Sequence, residues 1–178
     1  MAKELGLFDV VIVGAGTAGC LLANRLSADR RVSVALLEAG GSDDYLWVHV
    51  PVGYLYCIGN PRTDWCFETA AEPGLNGRAI RYPRGRVLGG CSSINGMIYM
   101  RGQRQDYDEW RAGDGYGPNP GWGWDDVLAL FKQHEDFYGG ADAMHGAGRE
   151  WRVVTPRVRW ELLGAVVGAA SEQRIPRK

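Results

Sequence analysis

The residues best suited to chemistry lie in two glycine-dense stretches. The first, Gly14-Ala15-Gly16-Thr17-Ala18-Gly19, has G-x-G-x-x-G spacing; it follows an apolar β-branched run over residues 8–13 and opens an amphipathic segment. In a strand–turn–helix setting, Gly14 permits the tight turn, Gly16 lets main chain approach a pyrophosphate, and Gly19 allows close helix–strand packing. The helix end offers unpaired N–H groups and a positive dipole, so the matching ligand is anionic. Glu38 ends the next apolar run, 32–37, about 20 residues on, where a carboxylate accepts hydrogen bonds from a ribose. An ADP-containing dinucleotide is expected. A glutamate here, rather than a nearby arginine, disfavours a 2′-phosphate and hence NADP; FAD and NAD both stay open on this motif. The competing reading is a ligand-free tight turn with a solvated Glu38.

The second stretch is Gly85-Arg86-Val87-Leu88-Gly89-Gly90-Cys91-Ser92-Ser93-Ile94-Asn95-Gly96. Its glycines again allow a ligand close to main chain, and small hydroxyl and amide side chains follow that donate hydrogen bonds without filling space. It reads equally as a second cofactor contact or as a loop ending at a helix capped by Ser92 or Ser93. Cys91, with no base inside the motif, is expected to be a small packed residue rather than a nucleophile. His49, His134 and His145 have no partner at metal or triad spacing and are expected to pack. Cys20, Cys57, Cys66 and Cys91 form no C-x-x-C pair, which argues against zinc.

The elements that must position these groups follow from periodicity. Ala18, Leu21, Leu22, Arg25 and Leu26 recur at helical spacing, predicting a helix over 16–27 that packs Leu22 and Leu26 on strands 8–13 and 32–37, each buried on two faces. That is a βαβ unit. A long aromatic excursion over 41–60 precedes a hairpin of strands 65–69 and 79–82 around Glu72-Pro73-Gly74-Leu75-Asn76-Gly77. Residues 111–124 read as a loop. Asp125 starts a helix with Val127, Leu128, Leu130, Phe131 and His134 on one face, and Trp122 and Trp124 are expected to cover it. A turn at Gly139 and Gly140, a strand over 151–154 and a last helix around Leu162, Leu163, Val166, Val167 and Ala170 complete the chain.

Composition bounds the function. The chain has 178 residues, 20 Lys and Arg against 21 Asp and Glu for a net charge of −1, 46% hydrophobic and 23% charged residues. Such balance gives no field to recruit nucleic acid or an anionic membrane, and it describes a folding chain rather than a disordered one. No apolar run reaches membrane-span length, and no leader pattern opens the chain, so reduced thiols in a cytoplasm are expected. The 26 glycines are about twice ordinary usage. A doubly wound sheet has about five or six parallel strands, yet two strong candidates are present. The expected architecture is therefore α/β: a Rossmann-like βαβ unit at 1–40, an excursion, hairpin and second motif at 41–110, and loop and helices at 111–178, with the sheet incomplete. A small fold of unusual type is the other option.

GAGTAG…LLEAGG and GRVLGGCSSINGMIYMRGQRQDYDEW resemble the glucose-methanol-choline oxidoreductase family, FAD-dependent alcohol oxidases and dehydrogenases that include choline dehydrogenase. Asn60-Pro61-Arg62-Thr63-Asp64-Trp65 and the helix from Trp124 share the likeness. The resemblance implies that Gly14, Gly16, Thr17, Ala18 and Gly19 cradle the FAD pyrophosphate, that Glu38 binds the adenosine ribose, and that Ala39 lines the adenosine side. It places Val87, Gly90, Cys91, Asn95, Gly96, Met97 and Ile98 around the flavin, with Trp65 nearby. Where some members carry a histidine joined to the flavin, this chain has Ile94, which implies noncovalent FAD. The family's proton-accepting histidine lies near its C-terminus and matches no residue here, so no catalytic residue is named. A nicked or truncated enzyme ending at Arg177-Lys178 is expected, its remainder either missing or present as a second chain, and its substrate a small alcohol. The contrasting functions are a noncatalytic dinucleotide-binding module and an NAD-dependent dehydrogenase, the latter lacking a recognisable nicotinamide pocket.

Overall fold

The computed structural model describes residue 4 and residues 6–113, 115, 117–156 and 160–175; the basic chain end at 176–178 lies outside them. Two compact units divide the chain, Met1–Ile98 and Tyr99–Lys178.

In the first unit, β1 (Val10–Val13) and β2 (Val34–Leu37) pair in parallel, Val10 opposite Val34 and Val13 opposite Leu37, with α1 (Thr17–Leu26) between them. This is the expected βαβ unit, trimmed at its ends. The strands are not buried on both faces. Ile12 is buried, whereas Val13 is 84% exposed, because the sheet has two strands and only one helix to cover it. Nor do Leu22 and Leu26 seal the sheet; both are exposed. The buried residue of α1 is Gly19, where a Cβ would stand 1.9 Å from the Gly14 carbonyl oxygen, so contact is made through the glycine.

The excursion holds two 3₁₀ turns and the single-turn α2 (Tyr54–Cys57). The hairpin is present as β3 (Phe67–Glu68) and β4 (Arg81–Tyr82), antiparallel, and Asn76 takes the left-handed conformation at its turn. Cys57, Val87 and Ile94 form a small core, flanked by Tyr45, Trp47 and Val48.

In the second unit, α3 (Arg104–Ala112) occupies residues partly read as loop. A reciprocal Gln103–Asp106 capping box starts it and Gly113 ends it. Helix α4 (Trp124–His134) runs straight into β5 (Glu135–Phe137), which pairs in parallel with β6 (Trp151–Val153); α5 is Glu161–Glu172. Tyr107 contacts the rings of Trp110, Trp124 and Phe131, and Trp124 and Val127 are the buried residues of α4. Among the described residues, no helix is long and apolar enough to cross a membrane.

Candidate cofactor site

The two glycine motifs, some seventy residues apart in sequence, form one backbone junction. Gly14 ends β1 at φ +93° and donates its N–H to the Leu37 carbonyl at 2.7 Å. Ala15, fully buried, gives its carbonyl to the Gly89 N–H at 2.7 Å. A Cβ on Gly90 would stand 2.8 Å from the Gly16 Cα, and one on Gly40 would stand 2.1 Å from the Arg86 carbonyl carbon. Backbone meets backbone at both points, so the second motif closes over the first where side chains would block it.

Glu38 ties the junction to β2. Its Oε2 accepts the Ala15 N–H and its Oε1 the Gly40 N–H, each at 2.8 Å. At the start of α1, Gly16 makes no side-chain cap and the first turn holds no acidic residue. Nothing lies within 4 Å of where a Gly16 Cβ would point. Thr17 and Ala18 are exposed beside it. An uncapped, acid-free helix end next to open space over glycine fits an anionic, extended group such as a pyrophosphate.

The rest of the second motif divides into a buried root and an exposed tip. Val87 and Ile94 are buried, Ile94 at 2% exposure in the core with Cys57. The 3₁₀ turn Gly90–Ser93 has no side-chain cap; the Ser92 and Ser93 hydroxyls instead donate back to the Gly89 and Leu88 carbonyls. Of the two readings the stretch allows, the serine N-cap is therefore absent, because the chain makes one turn and leaves. Cys91 is exposed rather than packed, its Sγ accepting the Gly85 N–H at 3.4 Å. Asn95, Gly96, Met97 and Ile98 are exposed, with Met97 at φ +56°. Trp65 stacks on Phe67 and carries the Arg86 guanidinium 4.9 Å from its ring centre; Ala39 follows Glu38 at the end of β2.

The GMC oxidoreductase family model matches residues 8–175. The chain belongs to the GMC oxidoreductase family. It is 45% identical over 139 residues to an oxygen-dependent choline dehydrogenase of Photobacterium profundum, a match covering 78% of this chain and 24% of that protein. It is 48% identical over 130 residues to an alcohol dehydrogenase [acceptor] of Pseudomonas putida, covering 72% and 23%. Its fold matches the crystal structure of pyridoxine 4-oxidase from Mesorbium loti, with TM-score 0.84, 36% identity, 93% of this chain and 32% of that one. This GMC chain thus spans about a quarter of the length of the curated relatives it matches. FAD is the dinucleotide, which closes the choice the first motif leaves open.

Several residues of the GMC chain have roles that the linear motifs do not report. Asp64 is 2% exposed and accepts the Gly59, Cys66 and Arg84 amides at 2.7–3.0 Å. Burial pushes its carboxyl up, but the three N–H groups outweigh this and hold it below the ordinary range. It fixes the hairpin root beside Arg86. In the second unit, fully buried Glu135 accepts Arg101 Nη2 at 2.7 Å and the Gly146 N–H at 2.8 Å. His145, with no partner at metal or triad spacing and expected to pack, stacks on Phe137 and also pairs with Glu135 through Nδ1 at 3.0 Å. The ten-residue separation of Glu135 and His145 is bridged by a turn, which no fixed spacing reports. His49 rests on the Asp43 carbonyl and His134 lies near the Phe131 ring. Among the described residues, no group of three His, Cys, Asp or Glu side chains is placed to hold a metal ion.

Proposed function

We propose that this chain is the FAD-binding part of a flavoenzyme that oxidises the CH–OH group of a small alcohol, with FAD held noncovalently. The observation that carries the reading is the junction itself: Gly90 on Gly16 and Gly89 on Ala15, beside an uncapped helix end. Bound FAD supplies a flavin ring that accepts a hydride from an alcohol carbon. Gly14, Gly16, Thr17, Ala18 and Gly19 lay main chain along the pyrophosphate. Glu38, held by two amides, keeps lone pairs for ribose hydroxyls, with Ala39 on the adenosine side. Val87, Gly90, Cys91, Asn95, Gly96, Met97 and Ile98 surround the flavin, and Trp65 packs nearby. Burial of Ile94 in the core supports noncovalent attachment, since this position presents no nucleophile to the ring.

The choline and alcohol named for the relatives support a small alcohol as substrate. The group that takes its hydroxyl proton belongs to the remaining length of the enzyme, continuous or as a second chain. Four free cysteines support a reducing, cytoplasmic setting. The test is the near-ultraviolet and visible absorbance of the purified chain after FAD addition and desalting, followed by acid precipitation. Flavin bands whose colour passes to the supernatant are expected. Colour in the pellet overturns noncovalent attachment, and a chain that takes up no FAD overturns the cofactor role.

A further inference from the structure

We infer that Asn95 is a site of spontaneous covalent modification, where the Gly96 nitrogen closes on the asparagine side chain and expels its amide as ammonia. The inference concerns the chain itself and does not rest on the FAD reading. Five asparagines are present: Asn24, Asn60, Asn76, Asn95 and Asn119. Asn60 and Asn119 precede prolines, which have no N–H to give up. Asn24 lies inside α1, where the following amide is bonded within the helix. Asn76 and Asn95 precede glycine, the residue that crowds ring closure least, and both Asn-Gly pairs are exposed.

The fold separates the two pairs. The Gly77 N–H donates to the Glu72 carbonyl at 3.0 Å, and the flanking Asn76 and Arg78 amides donate to Pro73 and Leu75. That nitrogen must leave a closed turn before it attacks. The Gly96 N–H meets no acceptor among the described residues, and nothing stands within 4 Å of where a Gly96 Cβ would point. Asn95 Oδ1 accepts the Met97 N–H at 2.9 Å. A side chain bonded two residues ahead folds over the intervening peptide, which brings its carbonyl carbon towards the Gly96 nitrogen. The same Met97 N–H donates to the oxygen on which negative charge gathers as the nitrogen adds. Hydroxide takes the Gly96 amide proton, the nitrogen bonds to Asn95 Cγ, and the Cγ–Nδ2 bond breaks as water supplies the proton that releases ammonia. A cyclic imide is left, and water opens it at either carbonyl to give aspartate or isoaspartate, with no oxidant or reductant involved. Isoaspartate routes the main chain through the former side chain and lengthens it just after Ile94, a member of the core.

The experiment holds the purified chain in mildly alkaline buffer made with heavy-oxygen water and samples it over days. Peptide chromatography and mass spectrometry then map aspartate and isoaspartate at both Asn-Gly pairs. In the folded chain Asn95 is expected to convert about tenfold faster than Asn76, with isoaspartate among its products and heavy oxygen taken up on conversion. In denaturant, where both glycine amides are released from the fold, the two rates should converge. Gly96→Ala, whose Cβ meets open space at a φ outside the left-handed region, is expected to slow conversion at Asn95 and leave Asn76 unchanged. The folded-to-denatured comparison on the wild type decides the matter even where Gly96→Ala folds poorly. Asn76 converting as fast as Asn95 in the folded chain overturns the inference. So does a preference for Asn95 that survives undiminished in denaturant, since the local sequence alone would then set it. Aspartate without isoaspartate at position 95 overturns it too, because that product pattern means direct hydrolysis without ring closure.

Discussion

Gly90 shows what one missing methyl group does for this molecule. Its φ is +57° and a Cβ would press on the Gly16 Cα at 2.8 Å, so alanine there must part the two motifs. Gly90→Ala is expected to destabilise the chain by about 1–3 kcal/mol and to weaken FAD binding at least tenfold, read by thermal unfolding and flavin titration. Gly164→Ala is the control: nothing lies within 4 Å of its Cβ and it sits inside α5. Alanine there is expected to add about 0.5–1 kcal/mol and leave FAD uptake unchanged. An equal effect of both substitutions would show that the Gly90–Gly16 approach is not what the site depends on. Gly14, Gly16 and Gly19 are legible in the sequence because their spacing lies along one strand–turn–helix unit. Gly40, Gly85 and Asp64 stand in stretches the sequence singles out, but their roles are not legible there, since each owes its role to a segment that arrives from elsewhere: Arg86 on Gly40, the Gly90 carbonyl on Gly85, and three loop amides on Asp64.

At the scale of elements, the β5–β6 pair depends on charge more than on apolar packing. Glu135 begins β5 with no exposure at all and gathers Arg101, His145 and the Gly146 amide, while Lys132 and Asp142 tie down the connecting turn. Burial pushes the Glu135 carboxyl up, but the hydrogen bonds from His145 and Gly146 and the Arg101 charge prevail and hold it below its ordinary value of 4.5. A carboxyl lowered on folding contributes stability that is complete above its unfolded value and lost as pH falls through its folded one. Glu135→Gln is therefore expected to cost about 3 kcal/mol near neutrality. The gap from wild type should narrow as pH drops below 4.5, and unfolding midpoints of both proteins across that range give the measurement. Asp64 and Asp142 are lowered as well, so the difference between the proteins, not the wild-type slope, isolates Glu135; a gap that stays constant into acid refutes the assignment. Sequence periodicity finds α1, α4 and α5 because each carries an apolar stripe. It misses α3, whose signal is the Gln103–Asp106 box and whose apolar side chains are few, and β5, which follows α4 with no glycine or proline to mark the change.

For the molecule as a whole, the apolar surface left uncovered decides behaviour in solution. Val11 and Val13 stand open on the β1–β2 sheet, and Leu162 (74% exposed), Leu163 and Val166 stand open on α5. A parallel sheet is stable when covered on both faces, and a two-stranded one offers little shelter to its own hydrogen bonds. Relatives that match this chain devote only about a quarter of their length to the matching region, so in them further chain is available to cover such faces. The chain alone is expected to bind a hydrophobic-surface dye while folded and to elute larger than its 19.6 kDa mass. Adding, in trans, a polypeptide that carries the remaining length of a GMC relative should lower dye binding and tighten FAD uptake together, because strands added to β1–β2 steady the Gly14 turn that β1 ends in. Lower dye binding with unchanged FAD affinity would mean that the junction of the two glycine motifs is self-sufficient and the open faces serve stability alone. No change in either would mean that these faces are not where the remaining length docks.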